Sequence, residues 1–196
     1  MSEKSQINIL EAFIKKYDQF ILLIIGLPCT NKSIIAKEFK IDLNLPIINI
    51  NDYIKKNAFI KKEIDGIKYK LYDHSDNYDW DKLDKDVNDQ KSKGIILYGT
   101  FIDIEKIDFK INFTFFLNMN NTMCKTVLIQ KKFLPYKEDD PKIKIYFEKI
   151  FNPIYDLLKT SININKFYNI KEKTKFNETY DNMFDTLMDL IYKKLK

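Results

Sequence analysis

Arginine is absent: all 33 basic residues of the chain are lysine. A surface that reads nucleic acid gains from the fixed guanidinium fork, and this chain has none to offer. The net charge of +5 suits an anionic small molecule equally well. Glycine (4) and proline (5) are scarce beside abundant Asn, Ile, Lys and Tyr, a bias that reads as that of the encoding genome. Two cysteines, Cys29 and Cys124, stand far apart with a single histidine, His74. That excludes a disulfide framework and a zinc site, and fits a reducing, cytoplasmic compartment. No apolar stretch reaches the roughly 18 residues of a membrane span. Residues 1–9 lack the apolar segment of a secretory signal. What is present is enough for a core. The 196 residues are 45% hydrophobic and 31% charged, which predicts one compact domain over residues 1–196.

The apolar pattern changes period along the chain. Residues 6–17 carry Ile7, Ile9, Leu10, Phe13, Ile14 and Tyr17 at helical spacing. Residues 20–25 are continuously apolar, as in a parallel strand covered on both faces. A helix is expected from Lys32 to about Phe39, then a short strand from Leu45 to Ile50. Residues 59–72 read as a hairpin around Asp65-Gly66. A helix over about 80–90 leads to a strand over 94–98, and Ile111 to Leu117 is a further strand. Helices over about 122–131 and 143–160, a short strand over 167–170 and a helix over 178–195 complete the order. Strands alternating with helices predict a three-layer α/β fold with a five-stranded, mostly parallel sheet and a small hairpin insertion.

Directly after the apolar strand comes Gly26-Leu27-Pro28-Cys29-Thr30-Asn31-Lys32-Ser33. Strand, tight loop and Lys-Ser at a helix start is how a chain cradles a nucleotide's phosphates. The usual spacing is G-x-x-x-x-G-K-[ST], and here Asn31 stands at the second glycine. Asn tolerates left-handed backbone better than most residues, although its side chain takes space that glycine leaves free. Lys32 would reach the β- and γ-phosphates, and Ser33 would ligate Mg²⁺ through its hydroxyl. Gly26, Pro28 and Asn31 complete the candidate ATP-binding loop.

Ligands of open parallel sheets sit beyond the carboxyl ends of the strands. Asn51-Asp52, the acidic loop 73–79 and Tyr98-Gly99 all follow expected strand ends or the hairpin. Asp52 could orient Mg²⁺ or serve as base on an acceptor hydroxyl, and equally could cap the following turn; Asn51 could only hydrogen-bond. His74 lies among Asp73, Asp76, Asp79 and Asp81, flanked by Tyr72 and Tyr78. These rings could stack on and hydrogen-bond a base or sugar, or the segment could simply cap a helix through Asp79. Lys125, Lys131, Lys132 and Lys137 could form a lid that screens charge on a moving phosphoryl group, or a solvated loop.

Taken together the residues resemble the uridine kinase and nicotinamide riboside kinase family of P-loop kinases. The similarity covers about residues 19–172. Its most distinctive part is Tyr72-Asp73-His74-Ser75-Asp76-Asn77-Tyr78-Asp79-Trp80-Asp81, which looks like the family's F-D-H-P-D-A-F-D-x-D segment. Asn51-Asp52-Tyr53-Ile54-Lys55 resembles D-D-F-Y-K, and Tyr98-Gly99-Thr100 falls where the family has E-G-I. Asp108-Phe109-Lys110 resembles its D-x-K region, and Pro153-Ile154-Tyr155 its P-x-Y/H stretch. The resemblance implies a P-loop kinase fold with a lid, ATP and Mg²⁺ as cofactors, and transfer of a phosphoryl group to the 5′-hydroxyl of a small nucleoside. Catalysis would fall to Lys32, Asp52 and Asn51, with Ser33 and Asp52 on the metal. Lys125 and Lys131 would join the loop in holding ATP. Tyr53, Tyr72, His74 and Tyr78 would contact the acceptor. In this register the family's catalytic Asp falls on Asn51 and the acid of E-G-I on Tyr98. The alternatives are a catalytically impaired nucleotide-binding protein with a regulatory or scaffolding role, and another P-loop enzyme such as a nucleotide kinase. No membrane partner is expected, and nucleic acid is disfavoured.

Overall fold

The computed structural model describes residues 3–56, 59–131, 134, 140–171 and 176–196, with only the backbone described for residues 3–8. The strand β1 (Ile21–Gly26) forms because six consecutive apolar or small residues leave no polar face to turn outward, and every one of them is buried. It lies at the centre of a five-stranded sheet with β2 (Ile47–Asn49), β5 (Ile95–Gly99), β6 (Phe113–Met119) and β7 (Lys166–Ile170), in the order β2-β5-β1-β6-β7. All four pairings are parallel, so the mostly parallel sheet expected from the pattern is parallel throughout these strands. Parallel neighbours require crossovers, and helices supply them.

Successive side chains of β1 face opposite layers. Leu22 and Ile24 pack with Phe13 of α1 (Glu3–Tyr17), with Ile35 and Phe39 of α2 (Lys32–Leu43), and with Met183 and Leu187 of α7 (Phe176–Leu195). Ile21, Leu23 and Ile25 pack on the other side with Leu83 of α3 (Trp80–Asn88), Leu128 of α4 (Asn121–Gln130), Ile143 of α5 (Pro141–Tyr146) and Leu158 of α6 (Asn152–Ser161). At about 1.5–3 kcal/mol for each fully buried aliphatic side chain, this double-sided strand is a principal source of core stability.

The hairpin forms as expected. β3 (Lys61–Ile64) and β4 (Ile67–Lys70) pair antiparallel, joined by Asp65 at φ 52° and Gly66 at φ 74°, both on the left-handed side that a two-residue turn requires. Several boundaries differ from the sequence reading. The helix after the loop runs on to Leu43, where Asn44 takes a left-handed cap and its N–H bonds Ile41 and Lys40 carbonyls. The strand expected over 45–50 is only Ile47–Asn49, because Ile50–Tyr53 tightens into a 3₁₀ turn whose Asn51 N–H donates to the Asn49 side chain at 3.2 Å. The strand expected from Ile111 starts at Phe113, since the Asn112 side chain accepts the Ile21 N–H at 2.8 Å. The single helix expected over 143–160 contains a π-helical turn, Phe147–Phe151. Pro153 lacks an N–H and would crowd the carbonyl four residues back, and the wider turn relieves both problems. Among the described residues no helix is long and apolar enough to cross a membrane.

Candidate functional site

From β1 the chain runs outward to β2, returns to β5 beside β1, and then crosses to β6 on its other side. This reversal is the switch point of the sheet, where crossovers diverge and leave a crevice beyond the strand ends. A cavity of about 500 Å³ opens there, lined by the loop Pro28–Ser33, by Asn49, Asn51, Tyr72, Asp73 and Tyr98–Thr100, and by the helices α4 and α5 with the π turn.

The loop is built to present N–H groups. Gly26 has φ 143°, and a Cβ there would lie 2.0 Å from the Leu117 carbonyl oxygen, so only glycine allows β1 to leave against β6. Cys29 (φ 65°) and Asn31 (φ 59°) take left-handed conformations. Asn31 thus holds the backbone shape that the usual second glycine provides. Such a reversal forms a concave nest of amides. The backbone N–H groups of residues 29–33 donate to no acceptor among the described residues. Thr30 ties the loop internally, its hydroxyl donating to the Leu27 carbonyl at 2.8 Å.

Lys32 folds beneath the loop. Its Nζ donates to the Gly26 carbonyl at 3.0 Å, the Leu27 carbonyl at 2.5 Å and the Thr30 hydroxyl at 3.2 Å, and the residue is only 7% exposed. Burial brings its pKa down to about 8, opposed chiefly by the charge of Asp73. Ser33 stands at the mouth of the cavity, exposed, at the first turn of α2.

Facing Lys32 is a carboxylate that the sequence reading placed in the acidic loop without assigning it a role. Asp73 Oδ1 accepts the Thr100 hydroxyl at 2.8 Å, and Oδ2 accepts the Tyr155 hydroxyl at 2.9 Å. Burial raises its pKa; the hydroxyl bonds and Lys32 pull the other way. Burial, and after it the charge of the same carboxylate, holds the Tyr155 and Tyr78 phenols well above the ordinary tyrosine range. Asn51 joins through Thr100: its Oδ1 accepts the Thr100 N–H at 3.3 Å and lies 3.2 Å from the Thr100 hydroxyl. A hydroxyl has one proton to donate, and the shorter contact to a carboxylate claims it. The sequence signal for Asp73 was its position beside Tyr72 after the hairpin; the partners Thr100 and Tyr155 lie 27 and 82 residues away.

The other candidates divide into two groups. Pro28, Asn31, Lys32, Ser33, Asn51, Tyr72 and Lys131 line the cavity. Asp52, Tyr53, His74, Tyr78 and Lys125 do not. Asp52 is exposed, with its Oδ1 accepting the Asn49 side-chain amide at 2.7 Å. The Tyr53 hydroxyl donates to Asp86 at 2.7 Å. His74 Nδ1 accepts the Asp76 N–H at 3.3 Å, a turn-capping role, and Asp79 caps α3 by accepting the Lys82 N–H at 3.2 Å. Tyr78 is buried behind Asp73 and stacks on Trp80 with ring centroids 4.9 Å apart. Lys132 and Lys137 of the expected lid lie outside the described residues.

Among the described residues no cluster of three or more His, Cys, Asp or Glu could hold a metal ion by itself. Mg²⁺ does not need one: it is commonly held by substrate phosphates and water with one or two protein oxygens. The Ser33 hydroxyl beside the free amides of the loop fits that arrangement, and the nest fits a polyphosphate.

No family model matches the chain, and no curated protein matches it. Among solved structures it is similar to a shikimate kinase from Bacteroides thetaiotaomicron (16% identity, TM-score 0.49, covering 86% of this chain and 98% of that one). It is similar to a shikimate kinase from Aquifex aeolicus (14%, TM-score 0.46, 87% and 97%). A possible uridine kinase from Bacillus stearothermophilus is a third such structure (14%, TM-score 0.48, 86% and 100%).

Proposed function

We propose that the protein is an ATP- and Mg²⁺-dependent phosphotransferase whose acceptor is the 5′-hydroxyl of a small nucleoside or nucleoside-like molecule. The observation that carries this reading is the loop itself. Five consecutive amides without acceptors among the described residues, a buried Lys32 and an exposed Ser33 open into one cavity at the switch point of a parallel sheet. The amides would hold the β- and γ-phosphates, and Lys32 would turn from the loop carbonyls to the incoming phosphate oxygens. Ser33 would hold Mg²⁺, which when bound neutralises charge on the phosphates. Lys131, which also lines the cavity, would add a second cation near the transferred group.

Another part of the cavity wall is apolar and aromatic, with Ile54, Tyr72, Leu128, Leu134, Tyr146 and Phe151. A flat, uncharged acceptor suits such a wall, with Tyr72 offering a ring to stack against. The protein's work is then to align two substrates, exclude water and stabilise charge; no covalent intermediate is required.

The test is ATP-to-ADP turnover with Mg²⁺ across a panel of nucleosides including uridine, cytidine and nicotinamide riboside, with the mass of the product checked. Turnover should depend on one acceptor and fall by about 10²–10³-fold in Lys32→Ala, the usual cost of removing one group that stabilises transition-state charge. Binding of ATP without product from any acceptor would instead make this a nucleotide-binding protein without catalysis.

A further inference from the structure

We infer that Asp73 is the catalytic carboxylate, the group that aligns the acceptor hydroxyl and takes its proton. This rests on the phosphotransferase reading above and assigns a role that the sequence pattern had given to Asp52 and Asn51.

Few of the acidic and amide groups near the strand ends reach the cavity. Asp73 is the only carboxylate among its described lining residues. Asn51 also lines it, but an amide accepts no proton near neutral pH, and its Oδ1 is engaged by Thr100. Asp52 is exposed and held by Asn49 outside the cavity. Asp73 is fixed on both oxygens by neutral hydroxyls, Thr100 on Oδ1 and Tyr155 on Oδ2. An ionised carboxylate has about four acceptor positions. The Tyr78 phenol also faces the carboxylate, so at least one position is left for a substrate hydroxyl, in a geometry set by Thr100 just after strand β5 and by Tyr155 of helix α6. The charged or titratable groups facing it are Lys32 at the start of α2, Tyr78 after the acidic loop, Tyr155 of α6 and Cys124 of α4. Of these only Lys32 is cationic, and it marks the phosphate end of the cavity. Asp73 therefore stands where the acceptor oxygen must meet the γ-phosphorus.

In the transfer, the acceptor oxygen bonds to the γ-phosphorus as its proton passes to Asp73. The bond from phosphorus to the β–γ bridging oxygen breaks, and ADP leaves with that electron pair. The proton on Asp73 then passes to solvent, leaving ADP, the phosphate ester and one proton. In a loose transition state the carboxylate acts mainly by positioning, with the proton moving late.

The experiment is steady-state kinetics from pH 5 to 9 on wild type, Asp73→Asn, Asp52→Asn and Tyr155→Phe, using the nucleoside that wild type turns over. ATP and acceptor affinities are measured separately by calorimetry. Asp73→Asn should lose about 10²–10⁴-fold in kcat, with both affinities little changed, and should lose the rising acidic limb of the wild-type profile. Asp52→Asn should lose far less kcat than Asp73→Asn, and the reverse order overturns the assignment. Tyr155→Phe removes one hydroxyl that favours the ionised carboxylate, and should move the acidic limb to higher pH even if Asp73→Asn folds poorly. If Asp73→Asn keeps its kcat, or changes only acceptor or Mg²⁺ affinity, or if Tyr155→Phe leaves the limb unmoved, the assignment to Asp73 is overturned while the phosphotransferase reading stands. If wild type turns over no acceptor, that reading fails and takes the assignment with it.

Discussion

The buried Lys32 should make the protein more stable as the pH rises above 8, against the usual trend for lysine. Its folded-state pKa is about 8 against 10.5 for a free lysine, a shift caused first by burial. Below pH 8 the ammonium is charged in both states, and the full cost of burying it is present. Between pH 8 and 10.5 the folded protein releases that proton while the unfolded chain keeps it. The unfolded state then binds more protons, so stability rises with pH. That lowering of the pKa corresponds to about 3 kcal/mol in all, most of which is recovered between pH 7 and 10. The assay is urea denaturation of wild type and Lys32→Met at each pH. Tyrosines with raised pKa values lose stability near pH 10 in both proteins, so the difference between the two isolates Lys32. Lys32→Met should lead by most at pH 7, and wild type should close the gap by about 2–3 kcal/mol at pH 10. Repeating the pair in an Asp73→Asn background should widen the change, because the charge that holds the lysine protonated is gone. A gap that stays flat from pH 7 to 10 would refute the burial of a charged Lys32. The same linkage reaches function. A bound polyphosphate supplies the missing counter-charge, so nucleotide affinity should weaken above pH 8 as proton uptake begins to accompany binding.

Three further outcomes follow from the geometry. Gly26→Ala places a Cβ 2.0 Å from the Leu117 carbonyl oxygen on a backbone at φ 143°, and should cost about 2–6 kcal/mol, read as a lowered urea midpoint. An unchanged midpoint would mean that β1 leaves the sheet differently. Burial raises the thiol pKa of Cys29 and holds that of Cys124 at about 12, so both should react slowly with Ellman's reagent at pH 8 in the native protein. Cys29, in the cavity wall, should react first and be protected by ATP, and Cys124 only on unfolding; equal rates for both would contradict their placement. Tyr72→Ala should raise the acceptor KM, while His74→Ala should leave it near wild type, since only Tyr72 lines the cavity. The reverse result would put the acceptor on the histidine side of the loop.

The sequence alone carried the local features. The continuous apolar run of β1, the Gly26-to-Ser33 loop, the Asp65-Gly66 hairpin and the Asp79 cap are each set by neighbours a few residues apart, and residue type at fixed spacing is enough to read them. It also pointed to a mostly parallel, covered sheet, because helices fall between most of the strands. The tertiary structure decided what depends on distant partners. The 3₁₀ turn at Ile50–Tyr53 puts Asn51 in the cavity and leaves Asp52 outside it, a one-residue choice that no periodicity resolves. Only chain crossing brings Thr100 and Tyr155 onto Asp73, and so makes one aspartate of an acidic loop different from its neighbours. The depressed pKa of Lys32 belongs to the same class, since burial is a property of the packed core and not of the residues beside it.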